Sequence, residues 1–173
     1  MGDRHTLRIV LTALFAALVC VATMIIRIPS PTGGYINAGD AIALLSAFLL
    51  GPYWGAAAAG LGSMLADLLA GYPAYAPGTL VIKAATALAA GLIARKLPAR
   101  PAAGRLLGGL CGELIMVLGY LGYTAVCLGY GVGALPEVPG NLAQGAFGII
   151  ASALLARGLL RSREVRELLE KFR

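Results

Sequence analysis

Charge is scarce in this chain, and its absence shapes the first inferences. Only 13% of the 173 residues are Asp, Glu, Lys or Arg, against 59% apolar. That balance fits an integral membrane protein better than a soluble domain. Histidine is nearly missing: His5 alone precedes the first apolar run, without a partner, and reads as a surface residue. Cys20, Cys111 and Cys127 lie inside apolar segments with no CxxC spacing, so they read as packing residues and no metal site is expected. There is no GxxxxGK[ST] phosphate loop, which excludes ATP use by that route. HExxH, GxSxG and a catalytic histidine pair are also missing, leaving hydrolysis without apparatus; no enzyme activity and no cofactor are expected.

What is present is a succession of apolar runs. A span needs about 20 mostly apolar residues, so 173 residues have room for five or six. The net charge of +6 is carried by three basic blocks outside these runs: Arg4 and Arg8; Arg95, Lys96, Arg100 and Arg105; and Arg157 through Arg173. Blocks at segment ends are topology signals of the positive-inside kind, not a nucleic-acid surface. The run from Asp40 to Leu50 is short, and "GPYWG" separates it from the next. Counted separately, the spans are roughly 7–28, 38–51, 53–71, 77–95, 104–130 and 140–160, and all three basic blocks fall on one side. Merging the second and third would put two blocks opposite the N-terminus. The expectation is therefore an all-α membrane protein of six transmembrane helices with both termini cytoplasmic. Residues 1–161 form a single membrane domain. Residues 162–173 form an amphipathic tail on the inner membrane surface, with Val165, Leu168, Leu169 and Phe172 on one face.

Three loops then face outward, at 28–39, 71–77 and 129–140. They are rich in Gly, Pro and Tyr and could cover a pocket. In the first, "GGYINAGDA", Asp40 is expected to cap the following helix, leaving Tyr35 and Asn37 free to reach over the pocket as a lid. Ionisable residues inside spans are functional candidates by default. Asp67 and Lys83 either pair with one another or contact a ligand. Glu113 heads a face that continues through Met116, Tyr120 and Tyr123. Asn141 and Gln144 share one helical face above Gly145, Gly148 and Ser152, a hydrogen-bonding wall suited to a heteroaromatic ligand. Small residues at four-residue spacing, Ala13 with Ala17 and Ala56 with Gly60, permit close helix contacts in lipid. A polar pocket without motor or catalytic set points to a binding subunit.

The ordered set of Ala13 and Ala17, "GGYINAGDA", "LLGPYWGA", "ADLLAGYPAYAPGTLVIKA" and "PGNLAQG" resembles the substrate-binding S component of energy-coupling factor (ECF) vitamin transporters, riboflavin-type branch, over about residues 7–160. The resemblance implies a prokaryotic cell-membrane protein that captures a vitamin from outside. It implies work with a transmembrane coupling protein, the T component, and two cytoplasmic ATPases. It gives Ala13 and Ala17 the docking role towards the coupling protein. Its implied pocket fits Tyr35, Asn37, Tyr72, Tyr75, Glu113, Tyr120, Asn141 and Gln144, and Lys83 joins the substrate-binding set. Riboflavin, pyridoxine and a hydroxymethylpyrimidine-like precursor are the candidate substrates. The alternative is a stand-alone ion-coupled transporter using Glu113 and an Asp67–Lys83 pair as relay, although no internal repeat supports it.

Overall fold

The computed structural model describes residues 2–30 and 32–172. Helix α1 (Gly2–Ile25) leads into a hairpin of β1 (Arg27–Pro29) and β2 (Tyr35–Asn37). Then follow α2 (Gly39–Leu50), α3 (Pro52–Ala70), α4 (Ala76–Arg95) and α5 (Pro101–Gly122). A wide helical turn at Tyr123–Cys127 and a tight one at Gly131–Ala134 connect α5 to α6 (Glu137–Leu159), and α7 (Arg163–Phe172) ends the chain. Prolines stand in the first turns of α3, α4 and α5, where the missing N–H is no loss. Gly51 turns α2 into α3 with a φ of 85° that other residues rarely adopt.

Helix α6 is polar and small on its inner face and apolar outside. Along α6, Asn141, Gln144, Gly145, Gly148, Ser152 and Ala156 face inward, while Leu142, Phe147, Ile150 and Leu154 are exposed. This inversion suits helices whose outer face meets lipid. Among the described residues four stretches are long and apolar enough to cross a membrane: Arg4–Ile25, Ala76–Arg95, Pro101–Cys127 and Gly131–Leu159. Neither α2 nor α3 is among them.

Helix α2 lies at the centre, touching α1, α3, α4 and α6. Its Ala43, Leu44 and Ala47 form a core with Val19, Ala59, Ala87 and Ala90. At 12 residues it is only about 18 Å long, well short of a hydrocarbon core of about 30 Å. Its first turn is therefore inside the bundle, with Asp40 only 1% exposed, and the hairpin occupies the space beyond it.

Two expectations are corrected here. The protein is not purely helical: β1 and β2 pair antiparallel, Arg27 opposite Asn37 and Pro29 opposite Tyr35, because proline ends helical continuation and the glycines at 33 and 34 let the chain return. The tail helix α7 does not lay its apolar face on lipid. Leu169 and Phe172 are buried against Leu11, Leu45, Leu49 and Leu50, and the Arg8 Nε–H donates to the Phe172 carbonyl at 2.8 Å.

Candidate functional site

At the hairpin end, polar side chains converge from every neighbouring element. The Tyr35 hydroxyl of β2 donates to Asp67 Oδ1 at the end of α3, at 2.6 Å. The backbone N–H of Asn37 donates to Gln144 Oε1 of α6, also at 2.6 Å. Tyr75, just before α4, places its hydroxyl 3.2 Å from both the Thr32 carbonyl and Glu137 Oε1. Thr124, in the wide turn after α5, donates to Glu137 Oε2 at 3.1 Å, and Tyr120 donates to Thr79 at 3.0 Å. Tyr35, Asn37, Asp67, Tyr75, Thr79, Tyr120, Glu137 and Gln144 line a partly open cavity of about 30 Å³, together with Asn141. Small-molecule pockets run to about 300–1,000 Å³, so the hairpin closes the site down to the volume of about one water.

The wall carries the carboxylates Asp67 and Glu137, the amides Asn141 and Gln144, and several hydroxyls, without Lys or Arg. Burial, and then the neighbouring Asp67, push the Tyr35 hydroxyl far above its ordinary pKa. Burial likewise raises that of Tyr75. Both phenols therefore stay protonated donors, Tyr35 to Asp67 and Tyr75 to the Thr32 carbonyl and Glu137.

One layer below lies a buried charged group. Lys83 of α4 is ion-paired with Asp40 of α2, at 2% and 1% exposure. The other Asp40 oxygen accepts from Gln144 Nε2 at 2.6 Å. The Lys83 ammonium also sits 5.4 Å from the Tyr120 ring centre. Glu113 of α5 is 4% exposed, and neither of its carboxyl oxygens has a hydrogen-bond partner. It fits against the α6 glycines: a Cβ on Gly148 would stand 2.8 Å from Asp40 Cβ and 3.3 Å from Glu113 Oε1. Only a residue without a side chain lets α6 approach both acids.

A family description, the S component of ECF-type riboflavin transporters, matches residues 4–161. The chain belongs to this family. As an S component it is a vitamin-binding transport subunit and a multi-pass membrane protein. It is similar to a protein of Pyrococcus woesei described only as uncharacterised, in the gap 3′ region. That relative is 42% identical over 134 residues, which cover 76% of this chain and 87% of the relative. Its fold is that of a solved structure titled as the S component of a bacterial ECF transporter: the TM-score is 0.71 at 23% identity, over 89% of this chain and 95% of that one.

Of the residues singled out in the sequence of this S component, Tyr35, Asn37, Tyr75, Tyr120, Asn141 and Gln144 all line the cavity. Lys83 and Glu113 do not; they stand beneath its floor. Of the two alternatives for Asp67 and Lys83, their mutual ion pair is not formed, since Lys83 is taken by Asp40 and Asp67 by Tyr35. Asn37, which lines the cavity, also takes the local structural role expected of Asp40. Asp40 makes no cap, whereas Asn37 Oδ1 accepts the Gly39 N–H at 2.9 Å in a tight turn before α2. Glu137 and Thr79 were missed. Glu137 had a visible signal, as the lone acid in a loop, 129–140, without Lys or Arg. Ala13 and Ala17 are exposed on α1, in line with exposed Ile9, Val10, Leu14 and Leu18.

Proposed function

We propose that this S component captures a water-soluble vitamin or precursor of the riboflavin, pyridoxine or hydroxymethylpyrimidine kind at its hairpin end. It delivers that ligand through an ATP-driven complex with a T component and two cytoplasmic ATPases. Six helices cross the cell membrane in this arrangement, the hairpin completing the short crossing of α2. Both termini and the tail, residues 162–173, are cytoplasmic, and the hairpin is outside. Ala13 and Ala17, on the lipid-facing side of α1, form the docking face for the T component.

The observation that supports this most is the small polar cavity, with a hairpin tied beside it by two strong hydrogen bonds, to Asp67 and to Gln144. Opening the hairpin enlarges the cavity and frees those acceptors for a ligand's N–H and O–H groups. Two carboxylates in a wall without cations select against phosphate esters. A phosphate charge about 5 Å from one carboxylate is disfavoured by about 3 kcal/mol at an effective dielectric of about 20, which is over a hundredfold in Kd.

The test is calorimetric titration of the purified protein in detergent, without nucleotide, against B-group vitamins and their phosphate esters. Saturable binding of a free vitamin, with the ester over about a hundredfold weaker, is expected. No saturation by any of them would overturn the proposal. Trp54 is a poor reporter for this binding because it lines a different cleft.

A further inference from the structure

Away from the cavity, at the end of the bundle that carries the arginine blocks, lies a much larger opening of about 660 Å³. It sits between the α2–α3 turn and the α4–α5 loop. Its floor is apolar, with Phe48, Leu97, Trp54 and Phe172 among the residues facing it, and Arg95 and Arg105 stand on its wall. Among the described residues no Asp or Glu lines it. Among the described residues neither Arg95 nor Arg105 has an ion-pair partner, while Arg8, also on the wall, is engaged by the Phe172 carbonyl and ring. The volume falls within the usual range for small-molecule sites.

We propose that this cleft holds the headgroup of an anionic phospholipid, with the phosphodiester on Arg95 and Arg105 and the glycerol backbone and first acyl carbons against Trp54 and Phe48. Three observations carry this. The lining is amphipathic as a lipid is, combining the cations Arg95 and Arg105 with aliphatic and aromatic side chains. The aromatic pair Tyr53 and Trp54 marks the depth of a membrane–water boundary, the depth at which headgroups lie. Guanidinium groups match phosphate oxygens in geometry as well as charge, and basic clefts between membrane helices bind anionic headgroups. The site is independent of the vitamin cavity.

The chain has a single tryptophan, and it stands in the cleft, so Trp54 fluorescence reads occupancy directly. The full-length protein is placed in phosphatidylcholine nanodiscs with a minor fraction of brominated phosphatidylglycerol or of brominated phosphatidylcholine, whose bromines quench nearby indole. Quenching by the phosphatidylglycerol is expected at far lower fractions. The preference should drop about fivefold for each arginine removed in Arg95→Gln and Arg105→Gln, and it should weaken as salt is raised. Vitamin binding by the variants, measured in parallel, reports whether they are folded, and the salt series needs no variant. Equal quenching by both lipids, a preference unchanged in the double variant, or one insensitive to salt overturns the proposal. Relief of quenching by soluble glycerol phosphate would also overturn it, by identifying a free anion as the occupant.

Discussion

Replacing Asp40 by Asn separates a helix cap from a buried counter-ion. As a cap the change would be nearly silent, since Asn and Asp are about equally good there. The structure instead pairs Asp40 with Lys83, both almost fully buried. Removing one partner of such a pair leaves an uncompensated charge, and the loss is about 3–5 kcal/mol. Asn keeps the side-chain shape and an oxygen that can still accept from Gln144, so the loss belongs to the charge. Glu113, unpartnered nearby, sets the lower end of the range if Lys83 turns towards it. For a chain of this length the loss lowers the melting temperature by roughly 6–20 °C, measured by thermal unfolding in detergent. Lys83→Met should cost about as much alone, and the double variant far less than the sum, because neither charge is then stranded. A change in Asp40→Asn within about 0.5 kcal/mol, the scatter of a surface substitution, or strict additivity in the double variant, would refute the reasoning.

Tyr35→Phe removes the hairpin's bond to Asp67, which competes with the ligand for that acceptor, and should strengthen vitamin affinity about fivefold, for a net hydrogen bond of about 1 kcal/mol; calorimetry checks it. Asn37→Ala deletes the turn that starts α2 but leaves the backbone bond to Gln144. It should lower stability by about 0.5–2 kcal/mol with affinity little changed, seen by comparing melting and titration. Ala13→Leu with Ala17→Leu alters only exposed positions, so vitamin binding by the isolated protein should persist while uptake in cells that carry the coupling module is lost.

Helix positions were legible because apolar length and breakers mark them: Gly51 and Pro52 end and start elements where the sequence places them, whereas α5 begins at Pro101 and ends at Gly122, away from both bounds of the expected 104–130. The hairpin was not, since its strands have three residues each and no alternation can show in so short a run. The pairing of Lys83 failed for a reason of depth. Asp67 lies three residues before the end of α3, about 4 Å down, whereas Lys83 lies seven residues into α4, about 10 Å down. Nearness in sequence favoured Asp67, but only the submerged start of the short α2 brings an acid to the level of Lys83. The six cavity residues were found because each is polar without need in a lipid-facing chain; Glu113 met the same criterion and stands a layer too deep.

The depth of α2 also explains how the hairpin is held. Gln144 can satisfy a carboxylate only through its NH2 group and a backbone N–H only through its oxygen. With Nε2 held by Asp40 and Asp40 held by Lys83, Oε1 is aimed at the hairpin. The inner tether therefore acts through the main chain of Asn37, and changing that side chain leaves the tether's donor in place. The rim tether, in contrast, is a side-chain bond from Tyr35. The position with most leverage over the inner half of the hairpin is thus outside the hairpin, on α6. Gln144→Leu removes the acceptor for the hairpin and the donor to Asp40 together, so it should affect hairpin closure and the buried ion pair at once, where Tyr35→Phe affects closure alone.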